Sequence, residues 1–265
     1  MDFNRSCLSW LGPPALVIAL FSTVTAVQAQ TRPDPLGLRA SCAAPASAAP
    51  QDLEAWILKD DVEAEAADFL RRSIGATVVL TVATCDRDMC DGLSPIGTGA
   101  VVSGGGLVLT AFHVIKDAAV IKATFRSVDA DGYVTLTTRV VPARVVAVAP
   151  DKDVALLQLK KETAEYPHMP LDCRWQAPKR SPIWHFGQKS GWEYGRVTLQ
   201  STVSVDIAGV YETNARARPG DSGAPFTKTT GELIGILLSR DGDDRSYYMP
   251  VADAIAALEK AAAAR

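Results

Sequence analysis

The sequence predicts an all-β chain: two β units of roughly six strands each, with a helix before them and a short helix after them. Two observations predict it. From residue 74 onward, short β-branched and apolar runs recur, separated by Gly, Pro and Asp turns. The Pro-rich segment "YPHMPLDCRWQAPKRSP" then interrupts the series near its middle, after which the same style resumes.

The elements follow in order. Near the amino end, Arg5 precedes the apolar stretch "ALVIALFSTVTAV" at 15–27 and the small-x-small triplet Val27-Gln28-Ala29. That pattern predicts a secretory signal peptide over 1–29, too short to span a bilayer comfortably. It places the mature protein outside the cytoplasm, periplasmic or extracellular, with no stable membrane anchor once the signal is removed. Residues 31–50 are rich in Pro, Ala and Ser and read as an arm. Over 51–72, Leu53, Trp56, Ile57, Phe69 and Leu70 share one face, which predicts a helix with a possible break near Asp60-Asp61. The arm and helix are thus assigned to 30–73.

The first β unit is assigned to 74–165. It opens on "IGATVVLTVA" as a strand and continues through "IGTGAVVS", "GLVLTAFHV", "AVIKATFRSV", a "DADG" turn, "YVTLTTRVV", "ARVVAVA" and "DVALLQL". The second, 166–265, runs through "SPIWHFG", "EYGRVTLQSTVSV", "GVYETN", "GAPFTK", "GELIGILLS" and "SYYMPV", and "VADAIAALEKAAAA" closes the chain as a helix. With 48% apolar residues in 265, the chain can bury one large core or two small ones. A net charge of −3 without a basic surface excludes a nucleic-acid-binding class.

Export changes how the cysteines read. Cys7 leaves with the signal; Cys42, Cys85, Cys90 and Cys173 remain, an even set in an oxidising compartment. Four cysteines allow three pairings. The spacing "CDRDMC" suits a Cys85–Cys90 bridge, and Cys42–Cys173 would then staple the arm to the body. No second Cys or His stands near 85–90 at zinc-finger spacing, so no metal and no cofactor is expected.

The stretch "RARPGDSGAPF" at 216–226 sets Ser222 between two glycines. A nucleophilic serine needs a base, and the base needs an orienting group. Of three histidines, His168 lies between prolines and His185 on a strand, and both read as structural or exposed; His113 stands where an apolar strand ends. Asp153 leads directly into the core strand "VALLQL", where an acid is costly unless partnered. Asp151, after Pro150, reads as a turn residue. No histidine follows Ser222, so the serine–acid–histidine order of α/β-hydrolases is impossible, and the remaining order is His113, Asp153, Ser222.

"LTAFHV", "DVALL" and "PGDSGAPF" together resemble the three signature blocks of the trypsin-like, chymotrypsin-fold serine proteases. "GTGAVVSGGGLVLTAFHVI" and "IWHFGQKSGWEYGRVT" are closest in style to the bacterial HtrA/Deg branch. The resemblance covers about residues 74–258. It implies two antiparallel six-stranded barrels of the chymotrypsin type and a serine endopeptidase acting on proteins or peptides. It implies the triad His113, Asp153 and Ser222, with the backbone N–H groups of Gly220 and Ser222 as the oxyanion hole.

Val114 and Ala224 depart from residues common in animal relatives, and no PDZ-like domain is expected after the closing helix. By the same resemblance the substrate pocket falls at Arg216 and at Leu238, Ser239 and Arg240. Arginines there favour an acidic P1 side chain unless they point to solvent or pair with Asp241, Asp243 or Asp244, which is the expectation. Asp221 pairs with a new amino terminus in animal zymogens. Here "RSIG" at 72–75 only faintly resembles a cut site, so Asp221 is expected to hold an internal base, Arg216 or Arg218, or backbone N–H groups. Two other readings stand beside this one: a catalytically idle barrel that binds peptides or partners, and a quality-control protease of the cell envelope.

Overall fold

The computed structural model describes residues 34–39, 42, 63–86, 89–90, 92–129, 133–204, 206–242 and 244–264. The signal peptide and the first part of the expected 51–72 helix lie outside the described residues.

Helix α1 spans Glu63–Gly75, and β1 follows at Thr77–Ala83. The expected strand start at Ile74 is therefore corrected: Ile74 belongs to the helix. Its side chain, 1% exposed, packs with Phe69, Trp184 and Phe186, and that burial outweighs the β-branched preference for a strand. A short ladder, β2 (Cys85–Asp86) and β3 (Met89–Cys90), comes next. Then follow β4 (Ser94–Val101), β5 (Leu107–Ala111), the single turn α2 (Phe112–Ile115), β6 (Val120–Val128), β7 (Val134–Ala149) and β8 (Val154–Leu159).

Strands β1-β4-β5-β8-β7-β6 close the first barrel, every pairing antiparallel. The two runs expected around residues 133–149 form one 16-residue strand. Its first part pairs with β6 as far as Ala143, and from Ala143 onward it pairs with β8. Pro142, which lacks an N–H, sits beside that handover, where losing a donor costs little.

The second barrel closes as β10-β11-β14-β13-β12-β9. Its strands are β9 (Pro182–His185), β10 (Glu193–Ser204), β11 (Ile207–Thr213), β12 (Pro225–Thr227), β13 (Leu233–Asp241) and β14 (Arg245–Pro250). Helix α3 (Val251–Ala263) ends the described chain. Val251, Ala254, Ile255 and Leu258 recur at helical spacing and bury one face of it in the first barrel's core cluster. The second barrel has its own core, including Ile183, Val197, Phe226, Leu237 and Tyr248.

The arm is fixed at three points. Leu38 is fully buried, Arg39 makes a bidentate pair with Glu259 on α3, and Cys42 is disulfide-bonded to Cys173. Cys85 is also in a disulfide, and its backbone partner across the β2–β3 ladder is Cys90.

Candidate active site

His113 comes from the single turn α2 that ends β5, and Asp153 from the residue before β8. Adjacent antiparallel strands bring them together: β5 and β8 pair from Leu107↔Gln158 to Ala111↔Val154, so the residues just beyond that last pair are neighbours. The backbone completes the alignment. Phe112 N–H donates to Asp153 O at 2.9 Å, and His113 N–H donates to Asp153 Oδ1 at 2.8 Å. The other carboxylate oxygen, Oδ2, lies 2.6 Å from His113 Nδ1. Asp153 adopts a left-handed backbone, φ 51°, as the cap of the Pro150–Lys152 turn, a conformation that Asp tolerates better than most residues. Its side chain is 13% exposed and that of His113 47%, so the acid is covered and the imidazole faces solvent.

With a carboxylate at Nδ1, the proton of the imidazole resides there. Nε2 is left with its lone pair, on a side chain that is 47% exposed. Asp151 stands exposed in the turn, and His168 is exposed with Nδ1 3.0 Å from Tyr166 O. Neither joins the His113–Asp153 pair.

Ser222 lies in the turn between β11 and β12 of the second barrel, and strand β4 of the first barrel ties it in. Thr98 N–H donates to Ser222 O at 2.8 Å. The preceding residue, Gly97, is so close to Val114 that an added Cβ would stand 2.4 Å from that side chain. Adjacent residues of one strand thus touch the neighbour of His113 and the backbone of Ser222. Gly223 is as tightly set: a Cβ there would lie 2.2 Å from Thr98 O and from Thr110 Oγ1, and its φ is 83°. Only glycine fits this crossing of the two barrels.

Gly220 has φ 99°. Its carbonyl accepts from Gln188 Nε2 at 2.7 Å and from Thr98 Oγ1 at 3.3 Å. Among the described residues, no protein acceptor meets the N–H of Gly220 or that of Ser222. Two donors on one turn, free of protein partners, are what a developing oxyanion requires.

Asp221 points inward and is fully buried. Lys189 N–H donates to its Oδ1 at 2.7 Å and Arg218 N–H to its Oδ2 at 2.8 Å, with Ser190 N–H at 3.4 Å from Oδ1. His185 Nε2 stands 3.7 Å from Oδ2, beyond hydrogen-bond length but within ion-pair distance. Burial works to raise the Asp221 pKa; His185 and the N–H groups of Lys189 and Arg218 outweigh it and hold the carboxyl at about 2. The expected backbone donors are therefore present. The side chains of Arg216 and Arg218, however, are exposed, and the basic side chain facing Asp221 is His185, which the sequence marks only as a strand residue.

A buried guanidinium lies within the field of Asp221. Arg126 is 5% exposed, and burial lowers its pKa to about 10 against the opposing pull of that carboxylate. The ladder between β6 and β7 slips between Thr124 and Arg126, and Phe125 and Arg126 are consecutive buried residues there.

Of the expected substrate-pocket residues, Leu238 is buried and Ser239 half-buried, its Oγ 2.8 Å from Ser204 Oγ. Arg216 and Arg240 are exposed, and Arg240 Nη1 donates to Gly242 O at 2.9 Å. Asp241 pairs instead with Arg245 at 2.6 Å. A cavity of about 850 Å³ opens elsewhere, lined by 104–105, 142–144 and 158–166, and none of His113, Asp153 or Ser222 borders it. Among the described residues there is no cluster of His, Cys, Asp and Glu able to hold a metal ion, and no helix long and apolar enough to cross a membrane.

The trypsin-like peptidase domain family matches residues 97–236, which include the whole constellation. Uncharacterized protein y4bJ of Sinorhizobium fredii is 30% identical over 151 residues, 56% of this chain and 22% of that protein. A probable periplasmic serine endoprotease, DegP-like, of Chlamydia pneumoniae is 27% identical over 149 residues, 53% of this chain and 28% of that protein. The chain thus spans under a third of the length of these two curated relatives. Among solved structures, the HtrA-type protease AlgW with a decapeptide superposes with a TM-score of 0.60 at 18% identity, covering 74% of this chain and 68% of that one. That likeness is one of fold.

Proposed function

Since the chain belongs to the trypsin-like peptidase domain family, of the branch that includes the HtrA and DegP proteases, we propose that it is an exported serine endopeptidase that cleaves peptide bonds through His113, Asp153 and Ser222. The observation that carries the proposal is the 2.6 Å contact between His113 Nδ1 and Asp153 Oδ2, beside a strand that also holds the backbone of Ser222.

The chemistry follows from that arrangement. Asp153 holds the imidazole with Nδ1 protonated, so Nε2 serves as the base that takes the Ser222 hydroxyl proton as Oγ attacks the scissile carbonyl. Asp153 then stabilises the imidazolium. The negative charge that develops on the carbonyl oxygen is met by the N–H groups of Gly220 and Ser222. His113 returns its proton to the leaving amine, an acyl-enzyme remains on Ser222, and water activated by the same imidazole releases the acid. No cofactor enters this cycle. The substrates are proteins or peptides. Arg216, Leu238, Ser239 and Arg240 are assigned to the P1 side by the family resemblance alone, and the exposure of both arginines supports a pocket without a fixed buried cation.

Export is proposed from the signal pattern over 1–29 and accords with the periplasmic description of the DegP-like relatives. With it go the proposed boundaries: signal 1–29, arm and helix from 30, first barrel to 165, and second barrel with the closing helix 166–265, the expected helix–barrel border at 73/74 moving past Gly75 with the course of α1. Turnover of casein by the secreted protein, lost in Ser222→Ala, is the expected result. Wild-type protein that binds unfolded casein without cutting it would favour the idle-barrel reading. An amino terminus near Gln30 supports removal of the signal alone; active enzyme beginning at Ile74 contradicts it.

A further inference from the structure

We propose that His185 is a positioning residue for the oxyanion turn: its Nε2–H faces Asp221 and holds residues 218–223 in the form that presents the Gly220 and Ser222 N–H groups. The inference rests on the serine-endopeptidase reading above.

Its basis is a buried pair with no other partner on one side. His185 and Asp221 are each 0% exposed. Among the described residues, the 3.7 Å approach of Nε2 to Asp221 Oδ2 is the one polar contact of the imidazole, and neither ring nitrogen has a hydrogen bond, although the ring is fully buried. Buried polar groups without partners are rare, and such a group aimed at a carboxylate has an electrostatic use or none. The ring cannot swing away freely. It stacks on Phe226 at 4.8 Å and 30°, and its backbone lies in register between Glu193 of β10 and Phe226 of β12.

The segment from 185 to 190 grips the turn at several points. His185 faces Asp221, Gln188 Nε2 donates to Gly220 O, and the N–H groups of Lys189 and Ser190 reach Asp221 Oδ1. Gly187 permits this closeness, since a Cβ there would stand 2.3 Å from Asp221 Cγ. The gripped atoms are the Gly220 carbonyl and the Asp221 carboxylate, which lie along the chain between the two proposed oxyanion donors. Removing His185 leaves a desolvated carboxylate short of one neighbour. The turn can relieve that cost by rotating, and rotation carries the Gly220 N–H out of line. Arg126 provides charge to the same carboxylate from the first barrel but is remote from Gly220 in sequence and strand, so it supports the pair without replacing its geometry.

The role separates from mere packing in kinetics. In His185→Leu, which keeps bulk and removes the N–H, active-site titration gives the number of competent sites, and kcat per titrated site falls about tenfold or more while KM changes little, because the oxyanion donors act in the transition state. His185→Gln, which restores an amide donor, recovers most of that loss. A fall only in the number of titratable sites, with kcat per site unchanged, overturns the proposal. Should neither variant fold, ¹⁵N–¹H correlation spectra of the wild type still decide: a proton on His185 Nε2 supports the role, and a bare Nε2 contradicts it. Wild-type protein that fails to turn over any substrate overturns the endopeptidase reading and this kinetic role with it, whereas the spectra report separately on the His185–Asp221 contact.

Discussion

The N–H of Thr98, in the first barrel, donates to the carbonyl of Ser222, in the second, at 2.8 Å. This bond joins the half of the molecule that carries His113 and Asp153 to the half that carries the serine. It is set by packing: Gly223 has no room for a side chain against Thr98 and Thr110, so the turn seats directly on the strand.

Thr110 supports this seam, since its buried Oγ1 donates to Thr98 O at 2.7 Å. Thr110→Val keeps the shape and removes the donor. The loss should be about 1 kcal/mol, a fall in Tm of roughly 2–4 °C in calorimetry. An unchanged Tm would mean that the seam does not depend on Thr110.

Asp153→Asn tests the orienting acid. Asn also tolerates a left-handed backbone, so the turn should survive. The amide can present an N–H toward His113 Nδ1 and favour the wrong tautomer. The same change in the best-studied triad of this type lowers kcat about ten-thousand-fold, and a comparable loss with little change in KM is expected here. Retention of more than a tenth of the activity would exclude Asp153 from the triad.

Much of this site was legible in the sequence, and the reason is local. His113 ends an apolar strand, Asp153 leads one, and Ser222 sits between glycines that a tight barrel crossing requires. The partner of Asp221 was not legible, because nothing beside His185 in sequence distinguishes it from a core residue; its role appears only when β9 is placed against β12. The inward turn of Arg126 depends on a ladder irregularity that the β6 sequence does not announce. Ile74 reads as a strand residue by type, and only the aromatic group of Phe69, Trp184 and Phe186 keeps it helical. In the same way, the single strand from Val134 to Ala149 reads as two because Pro142 ordinarily breaks a run.

Asp221 predicts an acid limit. Its folded pKa of about 2 lies below the ordinary value of 3.8, so the group stabilises the fold with the carboxylate ionised. That contribution, on the order of 2 kcal/mol, is fully present above about pH 4 and is lost as pH falls through 2. Denaturation midpoints of wild type and Asp221→Asn should therefore converge between pH 4 and 2. A constant difference across that range would contradict the assignment.

The Cys42–Cys173 bridge closes a sequence separation of 131 residues. A loop of that length restricts the unfolded chain strongly, by up to about 5 kcal/mol in the chain-entropy account. Cys42→Ser together with Cys173→Ser should lower the urea midpoint markedly at unchanged triad reactivity. Equal midpoints would show that Leu38 and the Arg39–Glu259 pair fix the arm without the bridge.

Ser222 is proposed as a nucleophile activated by His113. A fluorophosphonate probe followed by peptide mapping distinguishes that role from an unactivated hydroxyl. A single adduct on Ser222 is expected in the folded wild type, lost on denaturation, in Ser222→Ala and in His113→Ala. A folded wild type that takes no label at Ser222, or that labels equally well without His113, would contradict it.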